Sequence, residues 1–306
     1  MKKEENNPYK FESLSEVHRL LGLPKPLHPL ISLVEIKDIA IDSSRLPHSF
    51  VYNFYKISFK KNLTGKLKYG QGYYDFDEGG LFFKAPNQVA ATNGENNGDH
   101  AGFTLLVHPD FLLNYPLGKK IKQYGFFSYS ANEALHLSEK EKDTITTIFK
   151  NIDDELQTRI DDFSHDVIIS QLETLLNYSN RFYKRQFITR KAVSNDLLRK
   201  LEETLDEYFS NDTVQTKGIP TVQFLADALN LSPSYLSDML RSLTGQSAQQ
   251  HIHQKLIEMA KEKISTTSLS IREVAYQLGF EHPSSFNKFF KSKTKLSPLE
   301  FRRTFN

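Results

Sequence analysis

Residues 221–245, TVQFLADALNLSPSYLSDMLRSLTG, and residues 271–302, IREVAYQLGFEHPSSFNKFFKSKTKLSPLEFR, carry one pattern twice. In the first stretch Val222, Leu225, Ala226 and Leu229 fall on one face of a helix. Asn230 follows where a helix ends in a left-handed residue, a conformation Asn tolerates. Leu231-Ser232-Pro233 then restarts a helix, with Ser232 as N-cap and Pro233 at the first helical position. Leu231 and Leu236 have the spacing of a hydrophobic staple around that cap. Two helices joined by a short turn, with the small Ala226 facing the crossing, are the pattern of a helix-turn-helix.

The second stretch copies the first. Val274, Ala275 and Leu278 repeat Leu225, Ala226 and Leu229 at an offset of 49, and Gly279 takes the place of Asn230. After the turn the offset is 50: Phe286, Phe290, Thr294 and Ser297 repeat Leu236, Leu240, Thr244 and Ser247. The second turn is therefore one residue longer. A single such pattern is weak, because many helical pairs produce it. Two copies differing by one localised insertion are far more specific. Between them Gln249 to Ile264 reads as one helix with the stripe Ile252, Leu256 and Met259 or Ala260. At 1.5 Å per residue it spans about 24 Å. Recognition helices one DNA turn apart lie about 34 Å apart. A rigid connector of this length predicts that one chain reads two successive major grooves.

Charge is divided in the same way. The 306-residue chain has 39 Lys+Arg and 37 Asp+Glu, a net +2 that advertises no nucleic-acid partner. Residues 217–306, however, hold 12 basic and 7 acidic residues, a net +5, which leaves 1–216 at −3. Arg241, Lys288, Lys291, Lys293, Lys295, Arg302 and Arg303 gather around the expected recognition helices, as phosphate contacts require.

The remainder has a different texture. SLSEVHRLL at 13–21 predicts a short helix stopped by Gly22. From about 30 to 130, apolar runs such as LISLVEI, FVYNFYKISF and FTLLV alternate with the turn residues Asp77-Glu78-Gly79-Gly80 and Asn93 to Gly98. Short aromatic and β-branched strands at this spacing predict a β-sandwich or barrel. Its rings (Phe54, Tyr55, Phe82, Phe83, Phe103) either line a ligand pocket or fill a small barrel. After residue 137 the period becomes helical. Ile145, Ile148, Ile152 and Leu156 mark one helix. Ile168, Leu172, Leu175 and Phe182, beside Ile169, Leu176 and Tyr183, mark a second. This hairpin either packs on its own domain alone or also offers an apolar surface to a second copy. Residues 184–200, KRQFITRKAVSNDLLRK, predict a basic linker with a hinge near 184–195.

These residues carry a family resemblance. The run from Ala275 through Gly279-Phe280 to Phe286, Phe290 and Pro298-x-x-Phe301-Arg302 resembles the signature of AraC-type (AraC/XylS) transcriptional regulators. The first copy matches less fully, with Ala248 where that family usually has Pro and His251 where Tyr is common. The N-terminal half is similar in texture to the family's sensing domain. The resemblance implies an α+β chain. Residues 1–136 would form a cupin-like barrel for sensing or ligand binding, and 137–190 a helical dimerisation hairpin. Residues 191–306 would form an all-α DNA-binding domain with helix-turn-helix motifs at about 221–244 and 271–294. Seven C-terminal helices are implied, the third and sixth entering adjacent major grooves of double-stranded DNA.

Carried over by position, the first recognition helix presents Ser234, Ser237, Asp238 and Arg241, with Tyr235 placed to pack on a sugar or phosphate. The second presents Ser284, Ser285, Asn287, Lys288 and Lys291. Physical chemistry agrees in outline. Phe286, Phe289 and Phe290 make a core side, while Ser284, Asn287, Lys288 and Lys291 recur at i, i+3, i+4 and i+7 away from it. Asn bonds adenine bidentately, and Lys bonds guanine or a phosphate. Asp238 stands where the family often has a basic or amide residue; it either accepts from cytosine or pairs with Arg241. The resemblance further implies a homodimer, an RNA polymerase contact with activation as the usual output, and a small-molecule effector.

Other chemistry has little support. No cysteine is present, which excludes disulfides, thiol catalysis and thiolate metal sites. The rival reading, a metal-dependent cupin enzyme, needs convergent histidines. Among His18, His28, His48, His100, His108, His136 and His165 there is no His-x-His pair, although His48, His100 and His108 are free to converge in space. His251 and His253 on one helix point about 200° apart and cannot chelate one ion. No phosphate-binding glycine loop or nucleophile elbow occurs. The expectation is a non-enzyme with no cofactor and no metal. With no apolar leader in MKKEENNPYKFE and no unbroken apolar span, it is expected to be cytoplasmic and free of the membrane.

Overall fold

The computed structural model describes residues 8–39, 49–61, 66–69, 72–75, 79–91, 101–130, 133–158, 163–189, 191–210 and 213–305. Its chain forms two compact units, 1–186 and 187–306.

The first unit contains β1 (Tyr9–Phe11), α1 (Leu14–Leu20), β2 (Ile31–Glu35), β3 (Ser49–Tyr52), β4 (Tyr55–Lys60), β5 (Lys66–Tyr69), β6 (Gly72–Asp75), β7 (Gly80–Lys84), β8 (Val89–Ala91), β9 (Gly102–Val107), α2 (Leu117–Lys120), β10 (Leu135–His136), α3 (Glu139–Gln157) and α4 (Ser164–Thr189), whose last turn enters the second unit. The strands form a five-stranded sheet in the order β10-β7-β4-β9-β2, a three-stranded sheet β1-β3-β8 and a hairpin β5-β6. Among the described residues these are separate sheets, and no closed barrel is present. His48, His100, Asp77, Glu78 and the turn Asn93 to Gly98 lie outside the described residues.

Strand alternation gives the five-stranded sheet two unlike faces. One carries Ile57, Phe59, Leu81, Phe83, Phe103, Leu105 and Ile31, all buried. On this face Phe149 of α3 stacks on Phe103 at 5.5 Å and on Phe59 at 6.2 Å between ring centres. Tyr183 of α4 stacks on Phe126 at 5.6 Å, which in turn meets Phe83. Both stripes expected on α4 are buried: Ile168, Leu172, Leu175 and Phe182, and equally Ile169, Leu176 and Tyr183. The second stripe therefore offers no apolar surface for a partner. The opposite face of the sheet is more polar, with Lys56, Ser58 and Lys60 of β4 flanked by Lys84 and Thr104.

The second unit is all-helical: α5 (Lys191–Ser210), α6 (Thr213–Lys217), α7 (Val222–Ala228), α8 (Pro233–Thr244), α9 (Ala248–Thr266), α10 (Ile271–Gln277), α11 (Pro283–Thr294) and α12 (Pro298–Arg303). The expected linker is instead helix, since described residues of 184–200 lie in α4 and α5. The polar stretch after α5 holds the extra five-residue α6, anchored by buried Val214. The described helices of this unit thus number eight where the resemblance implies seven.

Candidate nucleic-acid interface

The two copies are built alike, atom for atom in places. In the first, Thr221 caps α7 by accepting from the Phe224 amide at 3.1 Å, and Leu225 and Ala226 are fully buried. Asn230 takes φ 56°, so the Leu231 amide reaches back to the Ala226 carbonyl at 2.9 Å. Ser232 then caps α8. In the second copy Ser270 and Glu273 cap α10 reciprocally, Val274 and Ala275 are fully buried, and Gly279 has φ 81°. The Phe280 amide reaches the Ala275 carbonyl at 3.0 Å. The added residue follows, so that His282, which makes no side-chain cap, precedes Pro283. Thr244 and Thr294 each donate to the carbonyl four residues back, at 2.8 and 2.9 Å. Gly245 (φ 77°) and Lys295 (φ 68°) then close the two recognition helices in the left-handed conformation.

Gly279 is tied to α6. A Cβ there would stand 2.9 Å from the Val214 carbonyl oxygen and 2.9 Å from the Gly218 carbonyl carbon. Tyr208 of α5 donates to the Gly218 carbonyl at 3.0 Å, which fixes that loop against the turn.

Nineteen residues of α9 span about 28 Å and join the copies. Its two histidines serve different partners. His251 shares a 2.9 Å hydrogen bond with the Thr244 hydroxyl in the first copy, while His253 lies edge-on to Phe289 of the second at 5.2 Å. Burial holds both imidazoles below the ordinary histidine range, which favours their neutral form. Lys263 donates to Gln277 of α10 at 3.0 Å, and Arg302 of α12 donates to the Ile264 carbonyl at 3.1 Å. Lys255 pairs with Asp206 of α5. The orientation of each head on α9 is therefore set by side-chain bonds as well as by apolar packing. Single-helix periodicity gives no signal for these bonds, because each partner lies on another helix.

The heads differ in what they expose. On α11, Ser284, Ser285, Asn287, Lys288 and Lys291 are all exposed, and Phe286 and Phe290 are fully buried behind them. On α8, Arg241 is exposed but Ser234, Ser237 and Asp238 are only half-exposed. The expectation for Tyr235 needs correction. Its ring is 2% exposed and packs edge-on against Phe187 at 5.1 Å, so it is not available to a sugar or phosphate in this conformation. Tyr235 and Met239 are spaced i, i+4 beside Leu236 and Leu240, a stripe that marks it as core. Of the two roles open to Asp238, the structure contains the ion pair: Arg241 donates to it at 2.8 Å.

Among the described residues no three His, Cys, Asp or Glu side chains gather as a metal site. Among the described residues no helix is long and apolar enough to cross a membrane.

A duplicated helix-turn-helix on one connector, with a basic and amide-bearing exposed face, defines a DNA-binding class of domain. Comparison with known proteins agrees. A family described as a helix-turn-helix domain matches residues 225–304. The chain is similar to the raffinose operon transcriptional regulatory protein RafR of Pediococcus pentosaceus, 27% identical over 141 residues, or 46% of this chain and 48% of that one. It is also similar to an uncharacterized HTH-type transcriptional regulator in the cgkA 5′ region of Pseudoalteromonas carrageenovora, 31% identical over 99 residues, or 32% of this chain and 57% of that one. The match spans about half the length of these two relatives. Among solved structures, the C-terminal domain of the two-component response regulator yesN from Fusobacterium nucleatum is 30% identical, covering 33% of this chain and 93% of that one, with a TM-score of 0.30. Within the C-terminal unit, residues 225–304 thus match a helix-turn-helix domain family.

Proposed function

We propose that the chain is a sequence-specific transcriptional regulator of the AraC type that reads two successive major grooves of double-stranded DNA. The observation that carries this reading is the pair of similarly built heads braced on one continuous helix, with Asn287, Lys288 and Lys291 exposed together on α11. Asn287 is assigned to base recognition and the lysines to guanine or phosphate. Ser284 and Ser285, at the start of α11, are placed for phosphate or base contacts. Ser234, Ser237, Asp238 and Arg241 form the first head's contact set, with Arg241 as its principal cation. Tyr235 instead fixes α8 from behind.

In the same reading the first unit is a cupin-like sensing domain. A bound effector acts only through unequal affinity for two arrangements of the DNA-binding units. A homodimer presents two such units, and an RNA polymerase contact makes the output activation. Because the inner stripes of α4 are buried, the dimer contact is assigned to its outer side, where Val167 and Ile188 are exposed. The chain is read as a non-enzyme that acts in the cytoplasm.

The test is selection of DNA sites from a random pool by the purified full chain, with and without cell extract as a source of effector. Enrichment of a motif with two half-sites about one helical turn apart is expected. Failure to enrich any sequence refutes the reading. Binding to an enriched site should also weaken with salt. If about six of the seven clustered cations meet phosphates, log K falls against log salt with a slope of about −5.

A further inference from the structure

Charge on the polar face of the five-stranded sheet is unusual. Lys56 of β4 stands directly opposite Lys84 of β7, and Lys60 lies two pleats further along β4 on the same face. Like charges directly opposite each other in a sheet are destabilising. Among the described residues none of the three lysines has a carboxylate partner. The ammonium of Lys56 instead lies 5.6 Å from the Tyr52 ring centre, and that of Lys60 5.7 Å from that of Phe82. Between the lysines, Ser58 of β4 faces Thr104 of β9, with their hydroxyls 3.1 Å apart. Both residues are more than nine-tenths buried. That one bond uses one of the two hydroxyl protons, so the pair retains a donor for a further acceptor. Burial, together with Lys60 and Lys84, lowers Lys56 to about 8. Burial also pushes Tyr52 up to about 12, so its ring stays neutral beside the ammonium.

From this placement we infer that the Lys56–Lys84–Lys60 cluster, with the Ser58–Thr104 hydroxyls, binds a small organic anion bearing at least two negative charges, a dicarboxylate or a phosphate ester. Such an anion removes the like-charge repulsion, accepts the remaining hydroxyl proton and faces two aromatic walls. The inference deepens the effector-sensing reading by naming the effector's chemical class, and it rests on that reading only for the consequence that binding is a signal.

The experiment is thermal unfolding of the full chain with succinate, glucose 6-phosphate and glucose in parallel. At about a hundredfold excess over Kd, a bound anion should raise the melting temperature by about 5 °C, whereas neutral glucose should leave it unchanged. Comparison of succinate with glucose 6-phosphate tells carboxylate from phosphate. Lys56→Met should abolish the shift, and Lys56→Arg, which keeps the charge, should retain it. Lys56→Met should itself melt above the parent without ligand, which separates lost binding from lost fold. The groups facing Lys56 are Lys60 on its own strand, Lys84 on β7 and Tyr52 on β3, while β9 presents the uncharged Thr104 and Leu106. Affinity should therefore fall as pH rises through about 8, where Lys56 loses its proton. Equal shifts in parent and Lys56→Met, or no shift with either anion at millimolar concentration, would overturn the inference. Neither result touches the DNA-binding reading, which is measured separately on DNA.

Discussion

Gly279 and Gly245 provide a controlled pair. Both have a positive φ, 81° and 77°, so an added Cβ meets the left-handed penalty of about 1–2 kcal/mol at either position. Their surroundings differ. Around Gly245 nothing lies within 4 Å of the Cβ position, whereas at Gly279 the Cβ would stand 2.9 Å from the Val214 oxygen and the Gly218 carbonyl carbon. Those atoms are backbone, held by the Tyr208 hydroxyl on the Gly218 carbonyl, and they cannot swing aside as a side chain can. Overpacking of this kind costs about 1–3 kcal/mol. Gly245→Ala should therefore cost about 1–2 kcal/mol, and Gly279→Ala about 2–5 kcal/mol. Because the chain has two units, a melting temperature is a less local probe of the second turn than amide exchange. Hydrogen exchange of the α10 and α11 amides reports opening of the second unit directly. Gly279→Ala should lower protection there by about five- to a hundredfold more than Gly245→Ala. Equal losses would refute the argument that α6 makes close contact with the second turn.

Three further outcomes follow from particular residues. Asn287→Ala should relax preference at one base pair by about 1–3 kcal/mol in binding to an enriched site; an equal loss on every sequence would mean that Asn287 reads no base. Lys295→Gly should stabilise the second unit by about 1 kcal/mol, because a lysine at φ 68° bears a strain that glycine does not. Hydrogen exchange reads this change, and an unchanged or lower protection contradicts it. Lys56→Met should raise stability at neutral pH by about 3 kcal/mol. Lysine depressed from 10.5 to about 8 disfavours the fold while it is charged. That penalty is complete below about pH 8 and fades toward 10.5, so the advantage of Lys56→Met should narrow across this window. A constant advantage at all pH values would assign it to packing instead.

What was legible in the sequence was local. Asn230, Ser232-Pro233 and Gly279 each act within four or five residues, through a left-handed φ, an N-cap or a fixed ring, and the structure has each in the conformation its chemistry requires. The α11 face was legible for the same reason: helical spacing alone places Asn287, Lys288 and Lys291 opposite Phe286 and Phe290. The sheet was not. β4 pairs with β7 and β9, more than twenty and forty residues away, so the opposition of Lys56 and Lys84 exists only once a register is chosen. Tyr235 lies on the buried stripe with Met239, and recognition-helix position alone does not reveal that. The expected linker was helix: Phe187 within it is buried, and Arg185 is tied to Glu141 and the His136 carbonyl, contacts that a run of basic residues does not announce.

The Asp238–Arg241 pair decides what the first head does. An exposed pair at this spacing contributes only about 0.3–0.5 kcal/mol to the helix, so stability gives little reason for an acid on a DNA-facing helix. Its larger effect is electrostatic. The carboxylate neutralises the most exposed cation of α8 and adds a charge that the phosphate backbone repels. Asp238→Ala should therefore free Arg241, strengthen binding to DNA of any sequence and make the salt slope steeper by about one unit. Preference at each base pair should stay as it was. Had Asp238 accepted from a cytosine amine, the same variant would lose about 1–3 kcal/mol at one base pair and gain nothing elsewhere. Salt titration on an enriched site and on its single-position variants separates the two. A loss confined to one position would overturn the view that the first head is held weak by its own ion pair, with most of the base reading left to the open face of α11.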